Sequence, residues 1–144
     1  MRIFVSPCLL NLQCRYDAEK KEIPQILTDL LKENCDVEIM GICPEFSFFH
    51  KTPRDKIMLE NSSTIVFEDG TPLGEDFAKA LNSLLISVVK FNPDVVILKE
   101  KSPSCGLHKV FIRNSGWNEG FGVWASLLKK NLKTKFYNED GVCG

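Results

Sequence analysis

The chain has 144 residues, 44% of them hydrophobic and 26% charged, which suits one soluble globular domain with a real core. Its formal net charge of −1 leaves no polyelectrolyte footprint and argues against nucleic acid as a bulk partner. No segment has the length and apolarity of a membrane span, and the opening Met1-Arg2-Ile3-Phe4-Val5 stops at Pro7, too soon for a signal-peptide core; the expected location is the cytoplasm.

The elements alternate in type. A first strand is expected over about 2–5. A helix follows from Pro24 to Glu33, with Pro24 suited to a first turn and Ile26, Leu27, Leu30 and Leu31 as its apolar stripe. A strand comes next, from Val37 to Ile42. Phe46 to Asn61 has no clear period and contains Thr52-Pro53-Arg54, so a functional loop is expected there, with room for a short helix. Ser63 to Phe67 forms a strand closed by the turn Asp69-Gly70. Thr71 is expected to cap a long helix with Pro72 at its first position, since Phe77, Leu81, Leu84, Leu85, Val88 and Val89 recur at helical spacing. Asn92-Pro93 stops it. Asp94 to Lys99 is an unbroken apolar run, the mark of a strand buried on both faces. Gly120 to Asn131 is a last helix and Lys135 to Tyr137 a last strand. The predicted class is α/β: a single-domain, Rossmann-like sandwich over residues 1–144, with a mostly parallel sheet flanked by helices.

Three of the six cysteines repeat one layout. Cys8 follows Ile3-Phe4-Val5-Ser6-Pro7. Cys43 follows Val37 to Ile42. Cys105 follows Val95 to Lys99 through Ser102-Pro103-Ser104. Each is an apolar run, a small or proline-rich turn, then a thiol. Ligands of open α/β sheets bind beyond the carboxyl ends of the strands, so parallel neighbours would bring these thiols to one crevice. Converging thiols indicate a metal or a cluster, with an open position if only three bind. Cys14 is close enough to Cys8 to be a fourth ligand, and is equally a buried thiol packing the first loop. Cys35 is read as a small core residue and Cys143 as incidental. A disulfide framework ranks below metal binding in a chain of this size.

Other residues near these turns can carry chemistry. Glu45, in Cys43-Pro44-Glu45, stands at the expected crevice mouth, where a carboxylate can move protons or activate water. In Ser102-Pro103-Ser104-Cys105-Gly106 two hydroxyls flank a stiff proline, and Gly106 lets backbone amides approach closely. Arg15 and Tyr16 can set a guanidinium and a phenol over the same pocket, although Arg15 with Asp17 is also an ordinary surface pair. His50 and His108 lack partners at metal-ligand spacing. Trp117 and Trp124 are expected to pack the core or a lid. No Walker motif and no dinucleotide fingerprint occurs.

Taken in order, Ser6-Pro7-Cys8-Leu9-Leu10, Cys14-Arg15-Tyr16-Asp17, Cys43-Pro44-Glu45, Thr52-Pro53-Arg54 and Leu98-Lys99…Ser102-Pro103-Ser104-Cys105-Gly106 resemble the signature blocks of the DUF523 family over nearly the whole chain. The family's characterised activity is thiouracil desulfidation. The resemblance implies a [4Fe–4S] cluster held by three cysteines, with one iron free to take the sulfur of a small thiolated substrate. The reaction is hydrolytic: C=S becomes C=O and sulfide leaves. Glu45 matches the family's acid, and Ser102 or Ser104 its serine, with Ser102 preferred. The chain departs from the family at Pro7, at Asn11 and Ala18 where glycine is customary, and in the bulky segment Phe46-Ser47-Phe48-Phe49-His50-Lys51. Phe46 and Phe48 are therefore expected to line the substrate pocket. Two other classes stand beside this reading: a zinc site made by the same thiols with Cys14, and a non-enzymatic sulfur or iron–sulfur carrier.

Overall fold

The computed structural model describes residues 1–12, 14–18 and 22–144. In chain order the elements are β1 (Arg2–Val5), a 3-10 turn (Pro7–Leu10), α1 (Gln25–Glu33), β2 (Glu38–Gly41), α2 (Pro44–Phe49), β3 (Ile57–Leu59), β4 (Ile65–Phe67), α3 (Glu75–Phe91), β5 (Val95–Leu98), β6 (Lys109–Ile112), β7 (Gly116–Glu119), α4 (Val123–Asn131) and β8 (Lys135–Asn138). The main sheet has the order β2-β1-β5-β8, and every pairing in it is parallel. Apolarity explains the order. β1 and β5 are the unbroken hydrophobic runs and take the two central places, where Ile3, Phe4, Val5, Val96, Ile97 and Leu98 are buried. The more polar β2 and β8 take the edges.

Strand residues alternate between faces, and each face has its own core. Phe4, Val96, Leu98 and Phe136 pack with α3 and α4 through Phe77, Leu81, Val88, Trp124 and Leu128. Ile3, Val5, Val95 and Ile97 face the other way, onto Leu27 of α1 and onto Leu9, Cys8 and Cys14. This is the expected α/β class. Among the described residues no helix is long and apolar enough to cross a membrane.

A second sheet has four strands, order β4-β3-β6-β7, of which the sequence-based expectation places only β4, as Ser63 to Phe67. It joins β3 to β6 in parallel through the single pair Leu59 and Ile112, and each of these strands has an antiparallel partner. β3 lies inside the segment expected to be a loop; the same segment also supplies α2. The long helix starts later than expected, at Glu75 after Gly74 (φ 80°). Thr71 and Pro72 are not its cap and first residue. After the Asp69-Gly70 turn the chain doubles back on β4: Pro72 bridges Val66, Phe67 N donates to Thr71 O, and Leu73 N donates to Ile65 O. Those backbone groups are committed to the sheet and cannot begin a helix. Pro24 precedes α1 as its cap rather than opening its first turn.

Candidate functional site

Because β1, β2 and β5 run parallel, their carboxyl ends lie along one edge. A cavity of about 570 Å³ opens there, lined by Cys8, Cys14, Cys43 and Cys105 together with Glu45, Arg15, Tyr16, Arg54, Lys99 and Ser102. Cys8 lies in the 3-10 turn that follows β1. Cys43 caps α2, its Sγ accepting the Phe46 N–H at 3.4 Å. Cys105 sits in the loop after β5, where Ser102 Oγ accepts the N–H groups of Ser104 at 3.2 Å and of Cys105 at 3.0 Å. Two ties bind the first loop to the third: Ser6 Oγ accepts the Lys99 N–H at 3.0 Å, and the Ser6 hydroxyl also hydrogen-bonds the Cys105 sulfur.

The four thiols differ in proton affinity. Hydrogen bonding with Cys43 first and with Cys8 second, together with burial, raises the Cys14 thiol far above the ordinary range, and Cys43 Sγ donates to Cys14 O at 3.7 Å. The bond with Cys14 draws Cys8 below that range against the effect of burial, with help from the charges of Lys99 and Arg15. Cys43 is lowered likewise, by Cys14 first and then, against burial, by the Phe46 N–H. Burial pushes Cys105 well up, and the charge of Cys43 adds to it. Proton loss is thus favoured at Cys8 and Cys43 over Cys14 and Cys105. None of the six cysteines is in a disulfide. Among the described residues no group of three or more His, Cys, Asp or Glu is arranged to hold a single metal ion. Cys35 and Cys143 are exposed and lie off the cavity; Cys35 is not the core residue expected, because the chain turns outward after α1.

Glu45 occupies the first turn of α2 and is buried. Its Oε1 meets Arg54 Nη2 at 3.3 Å, and its Oε2 accepts the Ser104 hydroxyl at 3.0 Å. Ser104 is fully buried behind the cavity wall, whereas Ser102 lines it. Only as part of a motif did Arg54 stand out in the sequence. The chain reaches it through a cis Thr52–Pro53 bond, and its N–H donates to Tyr16 O at 2.7 Å.

The loop that presents Cys105 is folded around a carboxylate the sequence did not reveal. Glu100 Oε1 accepts the N–H groups of Leu107 and His108 at 2.9 Å and of Lys109 at 3.1 Å. Its Oε2 meets His108 Nδ1 at 2.7 Å and Asn138 Nδ2 at 3.2 Å. Burial alone would raise the Glu100 pKa; these donors, led by the His108 N–H, outweigh it and pull it to about 2. In Lys99-Glu100-Lys101 the residue reads as one solvated charge among others. The same loop seats α4, whose first N–H groups donate to Pro103 O and Ser104 O at 2.9–3.0 Å. That contact requires Gly122, where a Cβ would stand 2.3 Å from the Ser104 carbonyl.

A profile of the 2-thiouracil desulfurase family matches residues 3–140. The chain belongs to the 2-thiouracil desulfurase family. It is 31% identical over 141 residues to the uncharacterized protein YbbK of Bacillus subtilis (strain 168), across 89% of each chain. Among solved structures it is similar to the [4Fe-4S]-dependent thiouracil desulfidase TudS, with a TM-score of 0.80 and 27% identity over 96% of this chain and 91% of that one.

Within this family the chain's departures now have a structural setting. Asn11 (φ 65°) and Ala18 (φ 58°), the positions where glycine is customary, both have left-handed backbone. Asparagine tolerates that conformation; alanine is strained in it. The expectation for the bulky segment is overturned. Neither Phe46 nor Phe48 lines the cavity. Once Pro44–Phe49 coils into α2, Glu45 faces the cavity while Phe48 turns to the core, edge-on to Phe49 and Phe77 with both centroids at 5.1 Å. Phe46 is left exposed. Phe111 and Trp117 of the β6–β7 hairpin are the aromatic lining instead, packed edge to face at 5.4 Å. Trp117 is 54% exposed, unlike the fully buried Trp124. Arg15 pairs with Asp17 at 3.2 Å and still lines the cavity, as does Tyr16.

Proposed function

We propose that this chain hydrolyses the C=S bond of a thiolated pyrimidine such as thiouracil, using a [4Fe–4S] cluster held by Cys8, Cys43 and Cys105. The observation that carries the reading is the meeting of three strand-end thiols and a buried carboxylate on one cavity large enough for an organic ring. The donor set fits the cofactor: soft sulfur ligands, two of them drawn towards thiolate, with no disulfide competing for them. Cys14, whose thiol is raised by hydrogen bonding with Cys43 and Cys8, is assigned as their hydrogen-bond partner rather than a ligand. When bound, the cluster supplies a thiophilic Lewis acid that accepts the departing sulfur.

The protein's own groups do the rest. One water is consumed; its oxygen goes to the ring carbon and the sulfur leaves as sulfide, with no net electron transfer. Glu45 takes a proton from that water and returns one to the products. Ser102, at the cavity wall, orients water or substrate. Arg15, Tyr16, Phe111 and Trp117 hold the ring. A sulfur carrier would have no use for so large an organic cavity. A closed zinc tetrahedron needs four donors at single-ion spacing, which the described residues do not offer. Anaerobic reconstitution with iron and sulfide, followed by addition of 2-thiouracil, tests the proposal. Brown protein that releases sulfide and forms uracil supports it. Colourless protein that retains zinc, or loaded protein inert towards thiolated pyrimidines, contradicts it.

A further inference from the structure

Arg54 is placed as few arginines are. Its side chain is 2% exposed, and its carboxylate partner among the described residues is Glu45, itself on the cavity wall. Three contacts hold it there. Its N–H donates to Tyr16 O at 2.7 Å, Nη1 donates to Lys51 O at 3.2 Å, and the guanidinium carbon stands 5.9 Å from the centroid of the Phe49 ring. The Nε–H has no partner among the described residues. Stability does not explain this arrangement. A buried ion pair gains little over an apolar pair of equal volume, because desolvation consumes most of the attraction. A buried N–H left without a partner is a further cost. Ser104 approaches Glu45 from its other oxygen, so the carboxylate is held from two sides.

We infer that Arg54 is a positioning residue, whose buried guanidinium fixes the Glu45 carboxylate in its place on the cavity wall. This rests on the reading of Glu45 as the group that handles the proton. Arg54 does not touch the substrate. It acts through Glu45, so its value disappears when Glu45 cannot carry a proton.

A double-mutant cycle reads that dependence. Arg54→Met, Glu45→Gln and the double variant are reconstituted to equal iron content, and kcat and KM are measured with 2-thiouracil. Arg54→Met should lower kcat by roughly 10²-fold, within the range of an acid–base contribution, with KM little changed. Arg54→Lys should keep the larger part of kcat, because the charge remains. In the Glu45→Gln background Arg54→Met should cost less than about threefold, the non-additivity of two residues acting as one unit. Melting curves check folding, and if Arg54→Met does not fold, Arg54→Gln, which also removes the charge, carries the same cycle. Additive losses in an active enzyme would overturn the inference alone, and so would a raised KM at unchanged kcat, which would mean contact with substrate. A loaded wild type that releases no sulfide would instead overturn the desulfidase reading.

Discussion

The two walls of the cavity are built differently. The thiol wall consists of turns at the ends of β1, β2 and β5, in a sheet whose central strands are buried on both faces. Cys8 and Cys105 there are each 7% exposed. The facing wall comes from the β6–β7 hairpin of the smaller sheet, where Phe111 is 38% and Trp117 54% exposed. A rigid wall suits groups that must stay fixed relative to a cofactor, whereas an exposed aromatic wall suits contact with a ring that comes and goes. The division assigns chemistry to one side and recognition to the other, and substitutions on each side should fail in different ways.

The largest effect belongs to the thiol wall. Cys105→Ser should lose the cluster, and with it all sulfide release, while the apo protein still folds. Iron counting and circular dichroism check both parts. Retained iron with full activity would break the division at once. Glu45→Gln comes next: iron stays and kcat falls by about 10²–10⁴-fold, the usual contribution of a positioned acid or base. Full activity in this variant would make the carboxylate a bystander. On the facing wall the loss should be of another kind. Trp117→Ala should raise KM roughly tenfold and leave kcat nearly unchanged, as expected when stacking on a ring is removed. A fall in kcat without a change in KM would move Trp117 to the chemical side.

The difference between the walls is also a difference in what the sequence could say. Cys8, Cys43 and Cys105 were legible because each follows an apolar run, and parallel pairing brings strand ends together whatever the strand order. The facing wall depends on pairings too short to leave a period. β3 has three residues and meets β6 at a single residue pair. Phe46 and Phe48 misled because composition marks a segment as aromatic but not which way a short helix turns it. Glu100 and Arg54 were hidden for a shared reason: a buried charge looks like a solvated one until its partners, here 7 to 9 residues away, are folded around it.

Glu100 yields the smallest effect and sharpens the comparison in another way, by asking how firmly the Cys105 loop is held. Its carboxylate titrates at about 2 when folded against 4.5 ordinarily. A lowered folded value means stabilisation that is complete above the unfolded value and lost as the pH falls from about 4.5 towards 2. Urea melts of the apo protein should weaken over that window. Glu100→Gln should flatten the decline and cost about 2 kcal/mol near neutral pH, the scale of hydrogen bonds to a charged group. His108 works in the opposite sense: the hydrogen bond it donates to Glu100 raises its pKa above 6.5, so its contribution is complete below that value and fades as the pH rises through the raised one.

The most direct test of hydrolysis at the three-thiol cavity is the origin of the oxygen in the product. Reconstituted protein, given 2-thiouracil in water labelled with oxygen-18 and without added oxidant or reductant, should yield uracil with a single labelled oxygen and one sulfide per uracil. Unlabelled uracil, or turnover only when an electron donor or acceptor is added, would contradict the account.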